Sequence, residues 1–192
     1  DDHLEYGKGI QENIFRICEV WNKFFDLNRL VRIRGGKPVL KGPHDSSEKG
    51  TGLLFSGGVD SLETFADLKD EISHLIFFYG ADILKNEKKF DYFCKYFQDF
   101  ASHFGKKMIL ISTNIRSISS VPWGEILHGC AFLGPTLALP RYLTRVLISS
   151  SYYDDIAEKY AWGSTVATDK FVSNALIDRK STRLNSSHVS QS

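Results

Sequence analysis

The sequence predicts an α/β fold, a doubly wound parallel sheet with an N-terminal helical extension. Three observations carry this. Short apolar runs at 52–55, 73–79, 108–112 and 145–150 alternate with segments of helical periodicity, the pattern of β–α–β units. The second run, Ser73 to Tyr79 (SHLIFFY), is almost unbroken, as in strands covered on both faces. The first run passes through a tight glycine turn directly into a helix, in Gly52 to Leu68 (GLLFSGGVDSLETFADL).

Composition narrows the class. The chain has 192 residues, 42% of them apolar and 24% charged, which suits one domain with a proper core. A formal net charge of +1 gives no global field for DNA or an anionic membrane. No apolar run approaches the ~20 residues that span a bilayer. Three scattered cysteines, Cys18, Cys94 and Cys130, form no CxxC pair. They fit reduced thiols in a cytoplasmic protein better than a disulfide framework or a cysteine-rich zinc site. The chain opens at Asp1 without a Met, so the natural N-terminus is expected to lie further upstream.

Residues 1–51 are expected to form the extension and a linker. Leu4 to Phe25 carries apolar residues at Ile10, Ile14, Ile17, Val20, Trp21, Phe24 and Phe25, close to a 3.6 period. Leu30 to Ile33 fits a short strand. Gly35 to Gly52 is rich in Gly, Pro, Ser and Lys and fits an exposed loop. Its Lys37, Lys41 and Lys49 are better read as solvated than as phosphate contacts.

The main domain is expected over 52–178, and its first turn is its most informative stretch. Leu53, Leu54 and Phe55 make a buried strand, Ser56-Gly57-Gly58 the turn, and Asp60 or Ser61 the start of a helix. Such a turn aims unpaired N–H groups and the positive end of the helix dipole at one point, which favours an anion. Glycines carry no Cβ and tolerate φ > 0, so the backbone can approach an oxyanion closely. Ser56 and Ser61 add hydroxyls. Asp60 adds a carboxylate able to hold a divalent cation against a phosphate. The plainer reading is a strand–turn–helix corner with Ser61 or Asp60 as N-cap. No GxxxxGK[ST] and no GxGxxG occurs in the chain.

The hexapeptide Ser56-Gly57-Gly58-Val59-Asp60-Ser61 resembles, letter for letter, the SGGxDS signature of the PP-loop ATP pyrophosphatase superfamily. The resemblance implies an adenine-nucleotide α-hydrolase-like, Rossmann-like sheet. It implies ATP phosphates bound by Ser56, Gly57, Gly58, Val59, Asp60 and Ser61, and Mg²⁺ held by Asp60. It brings the adenosine to the ends of the first two strands, where Phe55, Tyr79 and Gly80 are candidates. For Tyr79 a strand-end core aromatic is an equal alternative. The implied reaction is adenylation of a substrate carboxylate or carbonyl with release of pyrophosphate, followed by amide or thio transfer. A small-molecule acceptor is preferred over tRNA, because no basic patch interleaved with aromatics occurs. A non-catalytic nucleotide-binding module and an inactive fragment are the alternatives.

The rest of the chain supplies weaker candidates. Asn86 to Phe104 is predicted helical, with Cys94 on its apolar face and Gly105 as its stop. Arg116 follows the third strand at its carboxyl end, where a parallel sheet binds ligands; a surface arginine competes with that reading. Gly124 to Leu139 is helical in pattern, kinked or broken at Pro135. Within it, His128 is a candidate acid/base or phosphate contact, set against a satisfied core histidine. Cys130 lacks the partner cysteine of a thiolating site. Trp162-Gly163-Ser164, with Asp169 downstream, joins His128-Gly129 in resembling an uncharacterised branch of the same superfamily, which makes Asp169 a second candidate. Phe171 to Ile177 fits a further helix. Residues 179–192 have almost no apolar content and are expected to be disordered. They also resemble translated sequencing-adapter read-through, which implies a non-native tail on a truncated chain.

Overall fold

The structure, a computed structural model, describes residues 5–6, 10–25, 37–38, 50–81, 87–136, 139, 142–150, 163–164, 168 and 178–183. At the N-terminus, β1 (Glu5–Tyr6) pairs in parallel with β2 (Lys37–Pro38), and α1 (Ile10–Phe25) lies between them in sequence. The expected helix therefore starts six residues later than Leu4, and two residues of the expected loop form a ladder. The strand expected at Leu30 to Ile33 lies outside the described residues.

The main sheet has five parallel strands in the order β5-β4-β3-β6-β7. They are β3 (Gly50–Leu54), β4 (Ile72–Tyr79), β5 (Lys107–Ser112), β6 (Leu143–Ser150) and β7 (Asp178–Arg183). Helices α2 (Val59–Leu68) and α3 (Glu87–His103) connect β3 to β4 and β4 to β5. After β5 come α4 (Ile115–Ile118), a π-helical turn (Trp123–Leu127) and α5 (His128–Thr136).

Alternation along each strand divides the core into two layers. On one face Leu53, Phe55, Leu75, Phe77, Tyr79 and Leu147 pack against Phe65 of α2 and Phe97 and Ala101 of α3. On the other, Leu54, Ile76, Phe78, Val146 and Ile148 pack against Phe132 and Leu133 of α5. A sheet covered on both faces needs strands without polar alternation, which is why SHLIFFY reads as it does. Gly105 stops α3 as expected: at φ +64° it lets Lys106 N–H return to the Ala101 carbonyl (2.8 Å) and its own N–H to Ser102 (3.0 Å).

One expectation is corrected and another refined. The disorder expected over 179–192 does not hold for 179–183, because Asp178–Arg183 forms β7 beside β6, in register from Arg145↔Asp178 to Ser150↔Arg183. A ladder recruits backbone N–H and C=O groups, so a polar sequence at a sheet edge can still pair, and charged residues suit edges. Residues 184–192 and the helix expected at Phe171 to Ile177 lie outside the described residues. The helix expected from Gly124 to Leu139, kinked or broken at Pro135, begins as a π-turn and continues as α5. Leu127 N–H reaches Pro122 (3.1 Å) and His128 N–H reaches Trp123, both five residues back. Pro135 is the penultimate residue of α5.

No helix among the described residues is long and apolar enough to cross a membrane.

Candidate functional site

The chain runs outward from β3 in two directions: α2, β4 and α3 lead to β5 on one side, and β6 and β7 follow on the other. The strand order reverses between β3 and β6. In open α/β sheets the ligand crevice lies outside the carboxyl ends of the strands at that point. Ser56 to Ser61 is the segment that leaves β3 there.

The loop is anchored at its start. Phe55 N–H donates to the Ile76 carbonyl (2.9 Å), extending the ladder one residue past β3. The Phe55 ring stacks on Phe100 with centroids 4.9 Å apart and meets Phe65 and Phe97 edge-on. Gly57 then turns the chain at φ +76°, directly above Phe97, whose ring would lie 3.2 Å from a Cβ there. Both the dihedral and the floor demand glycine. Gly58 is the N-cap of α2, and no side chain caps that helix. The helical ladder begins with Leu62 N–H to Gly58 (3.0 Å), so the amides of Val59, Asp60 and Ser61 are not taken up by it.

The two serines have different roles. Ser61, only 3% exposed, donates its hydroxyl proton back to the Gly58 carbonyl (2.9 Å). Its Oγ lies 3.3 Å from Ser56 Oγ, and Ser56 Oγ accepts from Gly58 N–H (3.3 Å). With the Ser61 proton committed, Ser56 donates to Ser61, and the three bonds close a ring inside the loop. Ser61 holds the loop's shape from the buried side, and Ser56 is the exposed member of the pair. Asp60, half-buried in the first turn of α2, is the only acid in the hexapeptide. A single carboxylate at a helix N-terminus is of the kind that fits Mg²⁺ where a phosphate is also bound, since that ion takes one or two carboxylates together with phosphate oxygens and water. Ser149 of β6 donates to Thr64 Oγ1 of α2 (2.9 Å), which ties the helix after the loop to the other half of the sheet.

The adenosine-side candidates occupy the ends of β3 and β4. The rings of Phe55 and Tyr79 lie in the core, 3% and 5% exposed, with Tyr79 against Phe90 at 4.8 Å. Only their backbone reaches the strand ends. Gly80, at φ +93°, turns the chain out of β4.

The remaining candidates gather around the π-turn. Gly163 N–H donates to the Gly124 carbonyl (2.8 Å) in the π-turn. A Cβ on Gly129 would fall 1.9 Å from the Gly163 carbonyl oxygen, so this approach requires glycine at 129, and a Cβ on Gly163 would lie 3.0 Å from the Ile126 carbonyl oxygen. His128 is half-buried between rings, with Phe132 at 4.8 Å and Trp123 at 5.8 Å. Asp169 lies outside the described residues. Burial, and secondarily the Asp91 carboxylate, push the Cys94 thiol above its ordinary pKa. That is the behaviour of a packed thiol rather than of a nucleophile.

The sequence did not single out Phe97 as the floor under Gly57, nor the Gly129–Gly163 contact. Both join positions far apart in the chain. A helical phenylalanine and two isolated glycines are the only local signs, and such residues are common where no contact of this kind forms.

No family model matches this chain, and no curated protein matches it.

Proposed function

We propose that the chain is an ATP-binding PP-loop enzyme that adenylates a carboxylate or carbonyl of a small-molecule acceptor and releases pyrophosphate, followed by amide or thio transfer. One observation carries the reading: SGGVDS forms a glycine-turned, helix-capping loop at the point where the strand order reverses. Free thiols at Cys18, Cys94 and Cys130 suit the cytoplasm.

In this reading the amides at the start of α2 donate to phosphate oxygens, with Ser56 and Ser61 bracing the loop around them. They are preorganised, so they need no rearrangement as charge moves onto the leaving group. The Ser61 ring keeps them in register. Asp60 would hold Mg²⁺, which when bound neutralises charge on the pyrophosphate. An acceptor oxygen attacks the α-phosphorus, the bond to pyrophosphate breaks, and an acyl- or imidoyl-type adenylate remains. A nitrogen or sulfur nucleophile then displaces AMP. The protein acts mainly by positioning.

The test is a thermal melt of the whole chain with and without MgATP, paired with a pyrophosphate-release assay over candidate acceptors. At about 100 times its dissociation constant, MgATP adds ~2.7 kcal/mol, a shift of about 5–10 °C for this size. Asp60→Asn should lose the Mg²⁺-dependent part of the shift while keeping its unliganded Tm. An unchanged wild-type melt in MgATP would overturn the reading. A shift without pyrophosphate release would favour the non-catalytic module.

A further inference from the structure

Among the described residues, three arginines can be placed by their side chains. Arg16 pairs with Glu19 (3.0 Å) and Arg145 with Glu71 (2.7 Å). Arg116 has no carboxylate partner among the described residues. It is nevertheless held. Thr113 Oγ1 accepts from Ile115 N–H (3.2 Å), and the Asn114 carbonyl accepts from Ser117 N–H (2.9 Å), which fixes the turn of α4. The Arg116 guanidinium lies over the Trp123 ring, 4.8 Å from its centroid. Its Nη1 donates to the Ala81 carbonyl across a long 3.5 Å bond. Trp123 is fixed in turn by Phe132 and His128.

A ring face and a carbonyl orient a guanidinium without neutralising it. The remaining N–H donors keep their planar fork, the geometry that matches a carboxylate or phosphate edge. The place is also specific. Arg116 follows β5 and bonds Ala81, the second residue past β4, the strand that pairs with β3. It therefore stands at the carboxyl end of the sheet, on the same side as the Ser56–Ser61 loop.

We propose that Arg116 is an oxyanion contact of this site, taking either a phosphate oxygen of the nucleotide or the carboxylate of the acceptor. The assignment rests on the nucleotide reading for the ligand's location and adds a second, positively charged contact to a loop that binds through neutral donors.

Trp123 provides the readout. In a Trp21→Phe, Trp162→Phe background it is the only tryptophan. Its emission is followed during titration with MgATP, inorganic pyrophosphate and succinate. Calorimetric titration of Arg116→Gln and Arg116→Lys in the otherwise unchanged chain covers the case in which the double variant does not fold. Arg116→Gln should keep the unliganded Tm and bind the responding probe about ten- to a hundredfold more weakly. Arg116→Lys, with charge but no fork, should recover part of the loss. Weakened MgATP and pyrophosphate binding assigns the phosphate; weakened succinate binding with MgATP unchanged assigns the acceptor carboxylate. The proposal is overturned if no probe is weakened in Arg116→Gln while MgATP still raises Tm. If MgATP raises no Tm but pyrophosphate or succinate still binds through Arg116, the oxyanion contact stands and the nucleotide reading falls.

Discussion

Gly57 concentrates the loop's requirements in one residue. An alanine there would adopt φ +76° and press its Cβ against Phe97 at 3.2 Å. The dihedral alone costs about 1–2 kcal/mol. Gly57→Ala should lower stability by that order in urea denaturation and weaken any MgATP-induced rise in Tm; unchanged values for both would show that the loop is not held as described. At this scale the hexapeptide was legible because its members are contiguous and their spacing is the signal. The division between Ser56 and Ser61 was not. It depends on which hydroxyl turns inward, and that is set by Gly58 and by burial under α2. Phe55 and Tyr79 show the same gap. Each ends an apolar run, and only packing decides whether the ring goes to the core or to a ligand.

Elements were legible where side chains cause them. The four expected strands and the α3 stop form within two residues of the reading, because apolar runs and Gly105 create them directly. The π-turn and β7 were not legible, since they arise from backbone bonding with a neighbour already in place. The π-turn leads to its own expected outcome. Gly129→Ala would drive a methyl into the Gly163 carbonyl, now 1.9 Å from that position. The segment at Gly163 should lift from Gly124, and hydrogen exchange at the Gly163 amide should accelerate; retained protection would count against the contact. The junction of β3 and β4 carries a pH response. Ser73 donates to the Thr51 carbonyl (3.1 Å), so His74 Nδ1–H donates to Ser73 Oγ (2.8 Å). Burial first, and the Lys107 charge second, hold the His74 pKa below its ordinary value. The unfolded chain therefore binds this proton more readily than the folded one. The stabilisation is complete above about pH 6.5 and declines as pH falls through the lower folded value. Urea midpoints should drop between pH 7 and 5, and His74→Gln should flatten the slope there.

For the whole molecule, the alternation of apolar runs and helices conveyed a parallel sheet but not the order of its strands. Order follows from which faces the helices cover, and α2 and α3 lie on one side with α5 on the other. Leu147 shows how the halves depend on each other: it belongs to β6, yet it is fully buried in the layer formed with α2 and α3. Leu147→Ala should cost about 2–5 kcal/mol, read as a lower urea midpoint in a single cooperative transition. Two separate transitions would mean that β6 is not integral to that core. The central place of β3 also has a consequence for how the protein is made. One of its neighbours, β4, leaves the ribosome soon after it, whereas the other, β6, emerges only after α5. Throughout that interval the growing chain carries a bare strand edge beside the Ser56–Ser61 loop. Such an edge is a template for pairing with other chains. Synthesis that stalls before Leu143 should therefore yield aggregating products, and the crevice between β3 and β6 is a late acquisition of translation although the Ser56–Ser61 loop is made early.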